Sequence, residues 1–171
     1  CIGIDPGTVE ERLGEWIGGG GEVGVSCLPV EGEVWVRLRA RGASLPMAES
    51  AMREVETAVT AALGDDCYGG DQETLESAVG RLLSDRQLTL SVAESCTGGL
   101  LGHRITNVPG SSAYFERGVV VYGNRAKEEL LGVPRQTLAT HGAVSRPVAE
   151  TMARGICRAS GSSFGLAITG L

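Results

Sequence analysis

The amino-acid sequence predicts a two-part α/β protein, with a small α+β module over residues 1–70 and a layered α/β domain over residues 71–171. Three observations predict it. A hairpin pattern followed by one long amphipathic helix fills the first part. Strand-like and helix-like runs alternate through the second. Charge divides the same way: residues 1–71 hold 5 Arg against 13 acids, while residues 72–171 hold 10 Lys and Arg against 8 acids. With 171 residues, 42% of them hydrophobic, and a net charge of −6, the chain can bury a core and is too apolar for a disordered polymer. Its 26 glycines follow no G-x-y period, which excludes a collagen-like chain.

Taken in order, residues 8–17 read as a short helix with Thr8 as N-cap and Glu11 completing a capping box. Glycines 18–21 break it. Residues 22–28 and 33–40 alternate apolar and polar positions, Val23, Val25 and Cys27 in one run and Val34, Val36 and Leu38 in the other, and Pro29-Val30-Glu31-Gly32 turns between them. From Pro46 to Leu63, apolar residues recur at three- and four-residue steps from Met47 onward, so a helix packs on that hairpin. A glycine-rich boundary follows near residues 63–71. Asp71 then caps a helix running to about Arg86, with Leu75, Val79, Leu82 and Leu83 inward. After it come a strand at 88–94, a helix at 97–106, a strand at 118–122, helices at 125–131 and 147–160, and a strand at 165–168. Residues 140–145 read as a loop in which Ser145 caps the next helix and Pro147 fits its first turn.

Several function classes fall away at this stage. No apolar run approaches the ~18 residues of a membrane helix, and the N-terminus lacks a basic stretch ahead of an apolar one, so the reading places the chain in the cytoplasm with no membrane partner. Five cysteines at wide, unequal spacings with no C-x-x-C fit idle thiols, not a disulfide framework or a zinc knuckle. His103 and His141 have no second ligand at metal spacing, so no metal is expected. Phosphate-loop, dinucleotide and nucleophile-elbow motifs are absent. Glycines 18–21 superficially resemble the loop of nucleic-acid-binding KH modules, but their acidic setting argues against a nucleic-acid partner.

Two stretches could carry chemistry. Ala93-Glu94-Ser95-Cys96-Thr97-Gly98-Gly99 sits where a strand gives way to a helix, a place where exposed N–H groups favour an anion. The same residues also read as an ordinary strand-to-helix turn. Pro109-Gly110-Ser111-Ser112 precedes the strand ending at Tyr122, and Lys127 follows on a helix. Lys127 is the single lysine among 15 basic residues, and lysine, unlike arginine, can shed its proton when desolvated. A serine hydroxyl, a neutral lysine and a tyrosine hydroxyl would make a coherent nucleophilic set if they converged. By spacing alone, a turn serine, a strand-end tyrosine and a surface lysine are the more ordinary reading.

Taken together, the strings Ala93 to Gly99, Pro109 to Ser112, Val121-Tyr122-Gly123-Asn124-x-Ala126-Lys127, Leu131-Gly132-Val133, His141 to Ser145 and Ile168-Thr169-Gly170 resemble the C-terminal domain of the CinA (competence/damage-inducible) family over residues 71–171. Residues 1–70 are similar, more loosely, to the KH-like domain that precedes it in longer members. The resemblance implies a three-layer α/β/α domain with a mixed sheet, commonly oligomeric. It implies hydrolysis of nicotinamide mononucleotide to nicotinate mononucleotide and ammonia, with no metal or organic cofactor. Carried over by position, Ser112 would be the acylated nucleophile, Lys127 its base and Tyr122 a supporting hydroxyl. Ser95 and Thr169 would line the site, and Thr97, Gly98 and Gly99 would help bind the nucleotide.

The family pattern continues past Thr169-Gly170-Leu171 through further strands and a helix, and Cys1 is not a natural start. A fragment with an incomplete sheet is therefore expected, its activity depending on the remainder. The alternative function is a non-catalytic nucleotide- or partner-binding module of the same family.

Overall fold

A computed structural model describes residues 1–18, 21–30, 32–71 and 73–171. Part of the four-glycine run (Gly19, Gly20) and Glu31 of the hairpin turn lie outside the described residues. The chain divides into two compact units, Cys1–Glu73 and Thr74–Leu171.

In the first unit, helix α1 (Pro6–Arg12) starts two residues ahead of the expected point. Its cap is Asp5, whose carboxylate accepts the Thr8 N–H at 3.1 Å and also the Thr8 hydroxyl. Pro6 opens the helix, where its missing N–H costs nothing. Strands β1 (Val23–Val30) and β2 (Glu33–Ala40) pair antiparallel from Val23↔Ala40 to Val30↔Glu33, so Pro29 and Val30 belong to the strand and not to the turn. Helix α2 (Leu45–Leu63) lays Val59 and Leu63 on Val25 and Val34 of the hairpin and on Val9 and Leu13. Its first turn departs from the expected packing, because Leu45 and Met47 face solvent.

The second unit begins with helix α3 (Leu75–Asp85), capped by Thr74 and not by Asp71. Thr74 accepts from the Ser77 N–H while the Ser77 hydroxyl oxygen accepts from the Thr74 N–H, a reciprocal cap that Asp71, held in the left-handed region, cannot make. The helix is rotated from expectation: Ala78, Gly80 and Leu83 are buried, and Val79 and Leu82 are exposed. Gly80 is required because a Cβ there would meet the Tyr114 ring and hydroxyl.

Strands β3 (Leu90–Glu94), β4 (Phe115–Val120) and β5 (Phe164–Ile168) form one sheet in the order β4-β3-β5, both pairings parallel. No antiparallel member of the mixed sheet implied by resemblance occurs among the described residues. Central strand β3 is buried at all five positions, as a parallel strand covered on both faces must be. Helices α3 and α4 (Leu100–Thr106) pack on one face around Leu83, Leu90, Val92, Ile105 and Tyr114. Helices α5 (Asn124–Leu131), α6 (Arg135–His141) and α7 (Arg146–Ser160) cover the other around Ala93, Val121, Leu131, Leu138, Val148, Met152 and Ile156. This makes three layers. Helix α6 replaces part of the expected loop; Leu138 is its single buried residue, too little apolar periodicity to be read beforehand. Where α7 crosses α5, Gly155 lies against the Leu131 carbonyl, and a Cβ at that position would overlap it.

Candidate active site

Chain order places a switch point at the carboxyl end of β3, since the connection to β4 leaves on one side and β5 returns on the other. Open α/β sheets bind ligands at such points. Four segments meet there: the Ser95–Gly99 turn after β3, Val121 and Tyr122 after β4, Thr169 after β5, and the first turns of α5.

Strand alternation sends successive side chains to opposite faces. Glu94, at the end of β3, turns toward α4, while Ser95 meets Lys127 from the α5 layer. Lys127 is 1% exposed, and its Nζ lies 3.0 Å from Ser95 Oγ, 2.7 Å from the Val121 carbonyl and 3.0 Å from the Tyr122 carbonyl. Among the described residues no carboxylate pairs with it. Burial lowers its pKa from the ordinary 10.5, against a smaller opposing influence of Cys96. As an ammonium, Lys127 donates to all three oxygens. As an amine it keeps two N–H bonds and a lone pair. Two of its partners are carbonyls, which can only accept, so the lone pair must face Ser95, the one partner able to donate. The surface-lysine reading is overturned.

The turn itself is tightly held. The Ser95 N–H donates to the Ile168 carbonyl at 3.0 Å, and the Gly98 N–H to the Ser95 carbonyl at 3.1 Å. Gly98 and Gly99 both adopt positive φ, +60° and +105°, which is why glycines stand there. Glu94, 2% exposed, accepts the Leu101 N–H at 2.9 Å and the Gly102 N–H at 2.8 Å. Burial pushes its carboxyl up, but the hydrogen bonds it accepts, foremost from Gly102, outweigh this and hold it below the usual 4.5. A carboxylate of the chain itself thus fills the first N–H groups of α4, and the expected anion site narrows to the turn before it. The main-chain N–H groups of Cys96 and Thr97 remain without a partner among the described residues.

The other site candidates fall differently. Ser112 does not meet Lys127. It lies exposed in the turn Ser111–Ala113 ahead of β4, and the strand stands between them, roughly 20 Å at about 3.3 Å per residue. Tyr122 contributes its carbonyl; its side chain is 76% exposed, and among the described residues no hydrogen bond joins its phenol to Lys127. Thr169 reaches the same edge as Ser95, and its hydroxyl donates to the Ala143 carbonyl at 2.8 Å. His103 faces Asn107 on exposed helix surface. Among the described residues no group of His, Cys, Asp and Glu is gathered as for a metal ion, all five cysteines are free, and no helix is long and apolar enough to cross a membrane. Sequence reasoning missed Glu94. The available signal was an acid closing a mostly apolar strand run four positions ahead of a double glycine.

The fold and the site define a class: a three-layer α/β/α domain with a buried serine–lysine contact at the carboxyl edge of its sheet, preceded by a small α+β unit. The chain belongs to the CinA family, since the CinA C-terminal domain profile matches residues 72–171 and that of the damage-inducible protein CinA KH domain matches residues 1–69. A Moorella thermoacetica protein described as competence-damage inducible is 47% identical over 169 residues, 99% of this chain and 41% of its own length. A CinA-like protein of Gloeobacter violaceus is 43% identical over 171 residues, covering 99% of this chain and 39% of its own. The chain thus spans about two fifths of the curated relatives it matches. Among solved structures, the competence/damage inducible protein CihA from Agrobacterium tumefaciens aligns with TM-score 0.57 at 44% identity, over 61% of this chain and 64% of that one.

Proposed function

We propose that this chain carries the amide-hydrolysing site of a CinA-type nicotinamide-nucleotide amidase, with Ser95 as nucleophile and Lys127 as its base. The observation that carries the reading is the 3.0 Å approach of a buried lysine amine to a serine hydroxyl, both held by main-chain hydrogen bonds. Ser95 takes the nucleophilic role that resemblance alone gave to Ser112.

In the forward step the neutral Lys127 amine accepts the Ser95 hydroxyl proton as Oγ attacks the carboxamide carbon of nicotinamide mononucleotide. The N–H groups of Cys96 and Thr97, which have no partner among the described residues, stand beside the nucleophile and are suited to hold the oxyanion. Lys127 returns the proton to the departing nitrogen, and ammonia leaves an acyl ester on Ser95. A water, deprotonated by Lys127, attacks that ester; nicotinate mononucleotide departs and Ser95 recovers its proton. The Ser–Lys pair supports the amide class, and family resemblance supports the nicotinamide nucleotide. No cofactor enters the sequence of steps. Cytoplasmic placement and a homo-oligomeric working form belong to the same reading.

The test is ammonia release from nicotinamide mononucleotide by the polypeptide and three variants. Ser95→Ala and Lys127→Met should lose several orders of magnitude in turnover, while Ser112→Ala stays within about twofold. Undiminished turnover by Ser95→Ala would refute the assignment.

A further inference from the structure

We infer that Glu94 is a positioning residue for the Ser95 reaction, a clasp that fixes the nucleophile's turn between α4 and the segment that holds Lys127. The inference rests on the reading of Ser95 and Lys127 given above and adds a residue to it.

Three contacts carry the assignment. One carboxylate spans two consecutive main-chain donors, Leu101 and Gly102, so the start of α4 cannot rotate relative to β3 without losing both bonds. The Glu94 carbonyl accepts the Val121 N–H at 2.7 Å, and the Val121 carbonyl is the shortest of the three contacts to Lys127 Nζ. Ser95 is the next residue in the chain. A single residue therefore ties, through its side chain, the far end of the turn that bears the nucleophile and, through its main chain, the strand extension that aims the base.

The form of the tie matters. Residues 95–99 bridge β3 to α4 with two glycines in left-handed backbone, so the direction of the free Cys96 and Thr97 N–H groups depends on where α4 begins. The carboxylate sets that start. It needs two acceptor oxygens at full glutamate reach: glutamine offers one oxygen and sets an NH2 against the other N–H, and aspartate is one methylene short. The residue makes no contact with a reacting atom, so its effect is on geometry, where a displacement of about 1 Å can cost about a hundredfold in rate.

The experiment separates rate from active fraction. The polypeptide is labelled with a serine-directed fluorophosphonate, and both the number of sites labelled and the rate constant per labelled site are read for wild type, Glu94→Gln, Glu94→Asp and Ser95→Ala. Glu94→Gln and Glu94→Asp should label to full stoichiometry with a rate constant at least about tenfold lower, with the pH at half-maximal rate unmoved because Lys127 keeps its surroundings. A wild-type rate constant in both variants overturns the inference, as does a loss confined to stoichiometry, which would mark Glu94 as needed only for folding. Ser95→Ala serves as the control for the underlying reading. Failure of wild type to label, or labelling of Ser95→Ala, removes the Ser95 assignment and this inference with it, whereas normal wild-type labelling with unaffected Glu94 variants removes this inference alone.

Discussion

Lys127 and Ser95 stand 32 residues apart in sequence and 3.0 Å apart in space, and the contact is buried. The chemistry proposed for the carboxyl edge of the sheet rests on that one approach, and so does the dependence on pH expected of it.

Because burial lowers the Lys127 pKa, the base form is populated below the ordinary 10.5. The pH profile of kcat/KM for ammonia release should rise along one limb whose midpoint lies below that value, then level off. The same shift bears on stability with a definite sign. Between the lowered folded pKa and 10.5 the unfolded chain binds more protons, so this group's contribution to stability increases with pH. Urea midpoints of Lys127→Met should lack that slope.

Glu94 acts in the opposite pH range. Its folded pKa lies below 4.5, so its contribution is complete above that value and is lost as pH falls through the folded pKa. Acid unfolding of Glu94→Gln, followed by circular dichroism, should be shallower than that of wild type below about pH 4.5.

Tyr114 is buried, its hydroxyl without a partner among the described residues and pressed toward Gly80. Burial also pushes its pKa up. Removing an unsatisfied buried hydroxyl relieves a desolvation cost of about 1–3 kcal/mol. Tyr114→Phe should therefore be stabilising, by about 1 kcal/mol in a urea denaturation curve, and a loss of similar size would contradict the packing described.

Gly155→Ala should have the reverse effect. Its Cβ would overlap the Leu131 carbonyl, a main-chain atom that cannot swing aside, so α5 and α7 must separate. Overpacking of this kind costs about 1–3 kcal/mol. Since α5 bears Lys127, the variant should also lower the rate of Ser95 labelling per site.

Much of the fold was legible in the residues. Alternation in Val23–Val30 and Glu33–Ala40 reports a sheet with one covered face, and the three- and four-residue steps of α2 report a helix lying on it. Caps were less legible. Asp5, Thr8, Asp71 and Thr74 are all competent cap residues, and the choice among them depends on which N–H ends up in reach. The face of α3 is not legible because Gly80 and Ala78, small residues with little hydrophobic signal, turn inward, Gly80 against Tyr114, while larger Val79 and Leu82 stay outside.

The site was legible in its parts but not in its pairing. A lone lysine in an arginine-rich chain and a serine before Thr-Gly-Gly are both visible in the sequence. The sequence pairs Lys127 with Ser112 and leaves Ser95 only to line the site, and the direction of β4 reverses those places. Parallel strands put every strand-to-helix turn at one rim and every incoming turn at the other.

That segregation has a practical corollary for anyone wishing to instrument the molecule. The rim holding Gly110 to Ala113 carries none of the groups assigned to the reaction, so a reporter dye or a short peptide grafted there would leave turnover intact. A graft of equal size within residues 95–99 would silence it.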